Sequence, residues 1–314
     1  MNDYQVYKIS KSILFPFVLL RRIYIKHKIK KLKSSPQELA SFLYKRRFGR
    51  DINWNNPQEW NEKLRWLSFY TDTTLWTQLA DKYNARKYVI EKGYGNILVK
   101  LYGVWSDANL INFDELPNSF VIKTNHGCGE VVVVKNKKNI DTEKLRKLMA
   151  KYLETPFGYE TAEPHYLKIK PRIIAEELLS SDSTFSSSIV DYKFYCFNGE
   201  PVICGVFLNR DSKTHETTSV FFDMNWKQHP EWNNSKKKEY TKQIPQPLNF
   251  ELMKKACSDL CKSMPFCRLD FYESGGNLYF GEFTFTPASC TGGSLNPSIF
   301  YELGNKITIN NIGR

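Results

Sequence analysis

A lysine followed by a glycine-rich loop is the first feature along the chain whose residue types suggest chemistry. Lys123 ends a predicted strand and precedes Thr-Asn-His-Gly-Cys-Gly, which contains Gly127 and Gly129. Glycines let backbone N–H groups approach phosphate oxygens, and the lysine ammonium adds a positive charge. The segment therefore indicates a phosphate-binding loop, although a β-turn beside an exposed lysine has the same pattern.

Two adjacent carboxylates, Glu176 and Glu177, follow the apolar run Ile-Ile-Ala and precede Leu178. A carboxylate at a strand end can accept hydrogen bonds from ribose hydroxyls, while neighbouring backbone groups bind the edge of an adenine base. A solvent-exposed strand end explains the same pair of residues.

Lys193 lies in the sequence Asp-Tyr-Lys-Phe-Tyr, a predicted strand with aromatic residues on both sides of the lysine. Its ammonium can point into a covered cleft and neutralise charge on a transferring phosphoryl group. A lysine on the surface of a strand is the alternative interpretation.

Arg268, Asp270 and Glu282 lie on the two arms of a hairpin predicted over 266–272 and 278–285. Paired strands bring such side chains to one face, where two carboxylates can hold a Mg²⁺ ion that bridges nucleotide phosphates. Carboxylates near a hairpin are also common surface charges. The flanking residues are nevertheless too apolar for a solvated ribbon. They are Leu269, Phe271, Phe280, Phe283 and Phe285.

Cap and turn residues predict where the elements that position these side chains begin. Asn56 and Pro57 predict a helix start, because asparagine is a common N-cap and proline fits the first helical position. Residues 36–95 are predicted to be mainly helical. Asn198 and Gly199 predict a type I′ hairpin, and thus a two-stranded ribbon.

The other predicted elements complete a chain of four regions. Helices are predicted at 141–154 and 249–264, and strands at 97–105, 119–124, 130–135 and 172–178. A serine-rich stretch at 180–188 is predicted to link two lobes. The predicted regions are a basic segment 1–35, a helical region 36–118, a central lobe 119–185 and a C-terminal lobe 186–314.

The net charge of +12 is concentrated at the N-terminus. Residues 1–33 hold nine Lys or Arg and one Asp, which supplies +8 and leaves +4 for the rest of the chain. That remainder is too mild and scattered to predict a nucleic-acid partner. The cations and aromatic residues of the segment predict contact with an anionic membrane surface, and an amphipathic helix packed on the protein is the alternative.

The composition is that of a globular enzyme of two or three lobes, with 314 residues of which 41% are hydrophobic. Its seven cysteines are odd in number and lack paired spacing, which indicates a reducing cytoplasm. Cys257, Cys261 and Cys267 are either metal ligands or, more commonly, small core hydrophobes. No run approaches the roughly 20 apolar residues of a membrane span, and no signal peptide is predicted. The expected location is cytoplasmic, with a peripheral position at the inner face of the cell membrane.

In this order the features resemble an ATP-grasp protein, and their details resemble the TupA-like ATP-grasp family over about residues 50–300. The segments that carry the resemblance are Asn56-Pro57 through Leu64, Asp81-Lys82-Tyr83, Gly103-Val104-Trp105, Leu116-Pro117, Val121 through Gly127, Asp191 through Phe194 and Gly281 through Phe285. The resemblance implies an α+β fold in which two α+β lobes hold the nucleotide, preceded by a mainly helical N-terminal region.

The resemblance also implies roles for individual residues. The ATP phosphates would be bound by Lys123, Gly127, Gly129 and Lys193, and adenosine by Glu176, Glu177 and Leu178. Mg²⁺ would be bound by Asp270, Glu282 and Thr284, and an acyl phosphate by Arg268. ATP-grasp enzymes often carry asparagine where this chain has Thr284. Because a hydroxyl is a poorer Mg²⁺ ligand than a carbonyl, the second metal position is in question.

The implied function is bacterial cell-surface polysaccharide or teichuronopeptide synthesis, in which an amino acid is joined to a uronic acid carboxylate. Arg210, Lys213 and His215 are candidate contacts for an acidic sugar, or ordinary loop residues. Two other functions fit the same nucleotide site: a kinase that phosphorylates a sugar hydroxyl, and a non-catalytic nucleotide-binding scaffold of glycan assembly.

Overall fold

The computed structural model describes residues 23–309, apart from 182, 212, 213, 215, 235–239 and 241. The helices are α1 (described over 23–32), α2 (Pro36–Phe48), α3 (Trp60–Tyr70), α4 (Thr74–Ala80), α5 (Ala85–Glu91), α6 (Thr142–Glu154), α7 (Phe250–Cys261) and α8 (Phe300–Asn305). The strands are β1 (Leu101–Trp105), β2 (Phe120–Thr124), β3 (Val131–Val134), β4 (Ile173–Glu176), β5 (Asp191–Phe197), β6 (Glu200–Leu208), β7 (Thr218–Phe222), β8 (Phe266–Ser274) and β9 (Asn277–Thr284). The fold is therefore α+β with a mainly helical N-terminal region, as predicted.

Helix α3 begins later than Asn56 and Pro57 predict, which corrects that part of the sequence interpretation. Its N-cap is Glu59, whose carboxylate accepts from the backbone N–H of Glu62 at 3.0 Å, and Glu62 returns the contact in a capping box. Glu59 also accepts from the Tyr44 hydroxyl at 2.7 Å. Because of this tertiary contact from α2, the buried Glu59 caps the helix instead of Asn56.

A four-stranded antiparallel sheet, called the small sheet, has the order β1-β4-β2-β3. On one face Phe120 and Ile122 are buried in a core with Leu145 and Met149 of α6. Because side chains alternate along a strand, Lys123 of β2 lies on the other face. The small sheet thus positions the predicted phosphate-binding lysine away from its core.

A five-stranded antiparallel sheet, called the large sheet, has the order β7-β6-β5-β8-β9. The two predicted hairpins are therefore not separate ribbons, since β5 pairs with β8 along its whole length. The tight turn between β5 and β6 is confirmed by positive φ angles of 49° at Asn198 and 86° at Gly199. Helix α7 packs on one face of the large sheet, with Phe250 against Phe194.

The cysteines of α7 and of the strands beneath it belong to the hydrophobic core. Cys257, Cys261 and Cys267 are buried there. Burial raises the pKa of the Cys257 thiol to about 11. A protonated thiol is a core hydrophobe rather than a metal ligand, which favours the commoner of the two interpretations.

The described part of the N-terminal segment packs on its neighbour. Ile29 and Leu32 of α1 contact a cluster that contains Leu39 and Ala40 of α2. Residues 1–22, and with them most of the predicted basic segment, lie outside the described residues, as do Lys213 and His215. Within the described chain no helix combines the length and the apolar character needed to cross a bilayer.

Candidate nucleotide and metal site

Three strands of the large sheet bring the predicted metal residues to one face. Asp270 on β8 lies opposite Lys193 on β5 and opposite Glu282 on β9. Because side chains alternate, Arg268 and Thr284 point to the same side as their neighbours two residues away. The strand pairing therefore assembles five side chains that the sequence only suggested.

Asp270 is the centre of this cluster and is 1% exposed. Arg268 donates from Nε to Oδ1 at 2.6 Å and from Nη2 to Oδ2 at 2.7 Å, a bidentate contact. The same Nη2 donates to Thr284 Oγ1 at 3.0 Å and lies 3.3 Å from Glu282 Oε1. Arg268 thus contacts every predicted metal-binding residue.

Lys193 is buried between two carboxylates and is not a surface lysine. Its Nζ lies 2.7 Å from Asp191 Oδ2 and donates to Asp270. Burial alone would lower the pKa of Lys193, but Asp191 and Asp270 outweigh it and raise that pKa. For Asp191 burial prevails, and its pKa is raised. Asp191 is a site residue that the sequence analysis did not assign.

On the small sheet, Lys123 and Glu176 form an ion pair with 2.6 Å between Nζ and Oε2. Arg86 of α5 lies 3.2 Å from the other carboxylate oxygen of Glu176. Glu176 is therefore not a free strand end. Glu177, one residue on, donates its backbone N–H to Lys100 O at 2.9 Å, and strand alternation turns its side chain to the opposite side from Glu176.

Lys82 connects the glycine-rich loop with the metal-binding strand. Its Nζ donates to Gly127 O at 2.7 Å and lies 3.5 Å from Glu282 Oε2. Its backbone N–H donates to Asn125 O at 3.1 Å. One lysine from the helical region therefore touches both predicted halves of the site.

The two glycines of the loop are required for different reasons. A Cβ at Gly127 would lie 1.4 Å from Glu130 Oε2, whose carboxylate accepts from Thr124 Oγ1 at 2.9 Å. Gly129 has a φ of +89°, which residues with a side chain adopt rarely. A side chain at Gly127 would thus displace the Glu130 carboxylate, whereas one at Gly129 would strain the backbone.

The carboxylates of Asp270 and Glu282 fit a magnesium ion that phosphate oxygens would complete. Burial alone would raise the pKa of Glu282, but Lys82 and Arg268 lower it to about 2, so this carboxylate is ionised at neutral pH. The described residues hold no cluster of three His, Cys, Asp or Glu side chains able to bind a metal by themselves. Mg²⁺ commonly binds through one or two carboxylates together with nucleotide phosphates, so two suffice.

The arrangement joins predicted and unpredicted residues. It brings together Arg268, Asp270, Glu282, Thr284 and Lys193 on one sheet, and Lys123 and Glu176 on the other. Lys82, Arg86 and Asp191 were missed. Lys82 and Asp191 do lie within the segments that carry the family resemblance, which was the only signal for them.

Two antiparallel sheets, one with Lys123 beside the glycine loop and the other with Lys193, Arg268 and the carboxylates, form the arrangement that the ATP-grasp resemblance implies. The sequence profile described as TupA-like ATPgrasp matches residues 62–308. The chain belongs to the TupA-like ATP-grasp family. No curated protein matches it.

Several solved structures resemble the chain. D-alanine–D-alanine ligase from Bacillus anthracis, complexed with ATP, is 15% identical with a TM-score of 0.38, over 66% of this chain and 54% of that one. An ADP complex of N5-carboxyaminoimidazole ribonucleotide synthetase is 13% identical with a TM-score of 0.44, over 71% and 50%. The L-amino acid ligase from Bacillus licheniformis is 13% identical with a TM-score of 0.43, over 74% and 50%. The chain thus spans about half the length of each.

Proposed function

We propose that this protein is an ATP-dependent carboxylate–amine ligase that works through an acyl phosphate. The observation that carries the proposal is the array of Lys193, Asp270, Arg268 and Glu282, linked through Lys82 to the glycine loop. Such an array combines groups for phosphate and for a metal ion in one site. Family membership supports the reaction class.

The first step activates a carboxylate. An oxygen of the substrate carboxylate attacks the γ-phosphorus of ATP, the bond from that phosphorus to the β-phosphate oxygen breaks, and ADP leaves. Lys123 and Lys82 would bind phosphate oxygens from the small-sheet side, and Lys193 from the large-sheet side. Glu176 would accept hydrogen bonds from the ribose.

Asp270 and Glu282 would hold Mg²⁺, which supplies neutralisation of the β- and γ-phosphate charge when it is bound. Lys193 and Arg268 now occupy the oxygens of Asp270. Binding would exchange those contacts for contacts between the same two cations and phosphate. The charged side chains that would bind the metal and the phosphates are therefore already in place before the ligands bind.

The second step joins the amine. The amine nitrogen attacks the acyl carbon, phosphate leaves, and the nitrogen loses a proton to give the amide. Arg268, which donates five N–H groups in a planar fork, would hold the oxygens of the acyl phosphate and stabilise the tetrahedral oxyanion.

The substrates we propose are an amino acid and a uronic acid of a bacterial cell-surface polysaccharide. The family resemblance suggests them, and Arg210 supports an acidic partner. Its guanidinium is half-exposed and reaches Asp191 Oδ2 at 3.6 Å, so it lies at the margin of the site.

A screen of uronic acids with amino acids, read as ADP release, tests the reaction. With the active carboxylate and no amine, hydroxylamine should trap the acyl phosphate as a hydroxamate, together with ADP. Release of AMP would indicate adenylation and contradict the proposal. A stable phosphate ester without hydroxamate would establish the sugar kinase, and nucleotide binding without turnover would establish the scaffold.

We also propose that the protein acts at the cytoplasmic face of the cell membrane, held by charge. The exposed lysines of α1, Lys26, Lys30 and Lys31, face solvent while Ile29 and Leu32 pack on α2. A cation near an anionic bilayer contributes about 1 kcal/mol. The described helix would contribute this charge together with the exposed side chains of Ile23 and Tyr24.

Vesicles of phosphatidylglycerol and of phosphatidylcholine test this placement with the full chain. Replacing Lys26, Lys30 and Lys31 by Gln should weaken binding to the anionic vesicles by about 3 kcal/mol, and leave ATP turnover unchanged. A matched triple change of exposed lysines on α6 is the control, at Lys144, Lys147 and Lys151. If both triple variants lose the same vesicle affinity, net charge alone explains the effect and the proposed membrane-binding surface is refuted.

A further inference from the structure

A second buried polar network lies behind the end of β9 and takes no part in the proposed reaction. Its centre is Glu163, which follows α6 and is 3% exposed. The carboxylate accepts from the Ser289 hydroxyl at 2.9 Å and from the Thr286 hydroxyl. Both donors belong to the segment that directly follows β9. A buried carboxylate thus ties this segment to a distant part of the chain.

The position of Thr286 connects this network with the metal face. Strand β9 ends at Thr284, and Thr286 follows two residues later. The hydrogen bond from Thr286 to Glu163 therefore holds the chain directly after the two predicted metal ligands of β9, Glu282 and Thr284.

The segment that Glu163 holds has an unusual backbone. Ala288, Ser289 and Cys290 have φ angles of 48°, 52° and 52°. Consecutive residues with side chains rarely adopt this left-handed region, and such conformations persist where surrounding contacts fix them. We call residues 288–290 the left-handed turn.

Arg65 supplies the second fixing contact. Its guanidinium donates to Ala162 O at 2.6 Å and to Thr161 O at 3.0 Å, both beside Glu163, and to Ser289 O at 2.6 Å in the left-handed turn. Arg65 is 1% exposed. The side chain thus joins the same two segments that Glu163 joins.

The pKa of Tyr166 responds to charges of both this network and the candidate site. Burial raises the pKa of this phenol well above its usual value, and the charges of Glu163 and Glu282 raise it further, while Arg268 lowers it. One ring therefore lies within the electrostatic reach of both the network and the metal face.

We propose that Glu163 is a positioning residue that, through Thr286 and the left-handed turn, fixes the end of β9 so that Glu282 and Thr284 face Asp270. The proposal rests on the magnesium–nucleotide site of the proposed function. The new element is that the geometry of β9 depends on a residue that would touch neither the metal nor the nucleotide.

The experiment compares ADP affinity with and without Mg²⁺ in the full chain. Mg²⁺ is expected to increase the affinity for ADP, and in Glu163→Ala this increase should be at least about tenfold smaller. A tenfold change corresponds to the loss of one hydrogen bond to a charged group. Affinity for metal-free ADP should stay within about twofold of the unmodified protein, since Lys123 and Glu176 are untouched. A structural defect would weaken both affinities together.

Two milder variants keep the test valid if Glu163→Ala folds poorly. Glu163→Gln retains one acceptor oxygen and should recover part of the Mg²⁺ effect, whereas the near-isosteric Thr286→Val should lose most of it. Glu160→Ala, on an exposed residue of the same segment, is the matched control. Equal behaviour of Thr286→Val and the control would overturn the proposal.

Hydrogen exchange separates this proposal from the proposed function. Backbone amides of residues 284–290 should exchange at least about tenfold faster in Glu163→Ala without any ligand, because the hold on the turn is lost. Unchanged exchange would refute the positioning role even if nucleotide binds. Failure of the unmodified protein to bind ADP, with faster exchange in the variant, would instead refute the nucleotide site.

Discussion

The two sheets differ in the number of carboxylates that they bring to the candidate site. Among the described residues, the small-sheet face sets two cations, Lys123 and Arg86, against one carboxylate, Glu176. The large-sheet face holds three carboxylates, which are Asp191, Asp270 and Glu282. Lys193 and Arg268 lie among them, and Lys82 and Arg210 reach two of them from the margin. Carboxylates are therefore concentrated on the large sheet.

This difference matches the two kinds of ligand in the proposed reaction. Phosphate oxygens are attracted to the cations of the small-sheet face, and a divalent metal to the carboxylates that are concentrated on the large sheet. Lys82 lies between them, with contacts to Gly127 and Glu282. The comparison predicts that changes on the large sheet affect stability and activity together, whereas changes on the small sheet mainly affect nucleotide affinity.

The largest effect is expected for Asp270→Ala. Its removal leaves Arg268 and Lys193 buried without their shared carboxylate, which should cost about 3–5 kcal/mol of unfolding free energy. Turnover should fall by at least about hundredfold. Urea denaturation and ADP release measure the two losses.

Glu282→Ala is the comparison for this change. Glu282 is one-third exposed, so we expect similar loss of turnover but a stability loss below about 2 kcal/mol. If the two variants lose equal stability, burial does not distinguish the two carboxylates.

Lys193→Met should have the next largest effect. The change removes the cation between Asp191 and Asp270, and turnover should fall by at least about tenfold. The unfolding free energy should fall by about 2 kcal/mol at pH 7. At pH 4 the stability loss should be smaller, because Asp191, whose pKa burial already raises, can then take up a proton. Denaturation at both pH values checks this, and a loss that is greater at pH 4 would contradict the pairing.

The sequence predicted what local patterns encode. Asn198 and Gly199 defined one hairpin, and the apolar flanks of Asp270 and Glu282 indicated a packed hairpin rather than a surface ribbon. Both signals come from residues close together in the chain, whose period of two fixes which side chains share a face.

The sequence did not predict contacts that depend on distant pairing. Lys193 and Asp270 are 77 residues apart and meet because β5 pairs with β8. Glu163 and Thr286 are 123 apart, and no periodicity relates them. The helix start at Glu59 was missed for the same reason, since the Tyr44 contact selects it.

On the small sheet, Lys123→Met should give a smaller and different effect. Glu176 is 7% exposed but keeps its contact with Arg86, so the unfolding free energy should fall by only about 1–2 kcal/mol. Affinity for metal-free ADP should fall roughly tenfold through the lost charge-assisted contact. Calorimetric titration with ADP measures this. Lys100→Met, an exposed lysine beside the same sheet, is the control, and an equal loss there would leave Lys123 without a specific role.

The smallest effect concerns the pH dependence of stability from Glu282. Its pKa is lowered from an ordinary value of 4.5 to about 2. A carboxylate with a depressed pKa in the folded state contributes stability that is fully present above its unfolded value and is lost as pH falls through the folded value. The unmodified protein should therefore be more stable than Glu282→Gln at pH 6, and the difference should shrink between pH 4.5 and pH 2. Urea midpoints at pH 6, 4 and 2.5 measure it, with Glu160→Gln as the exposed control. A difference that stays constant over this range would mean that Lys82 and Arg268 do not hold the charge of Glu282, and the ionised carboxylate assigned to this position of the large sheet would then be wrong.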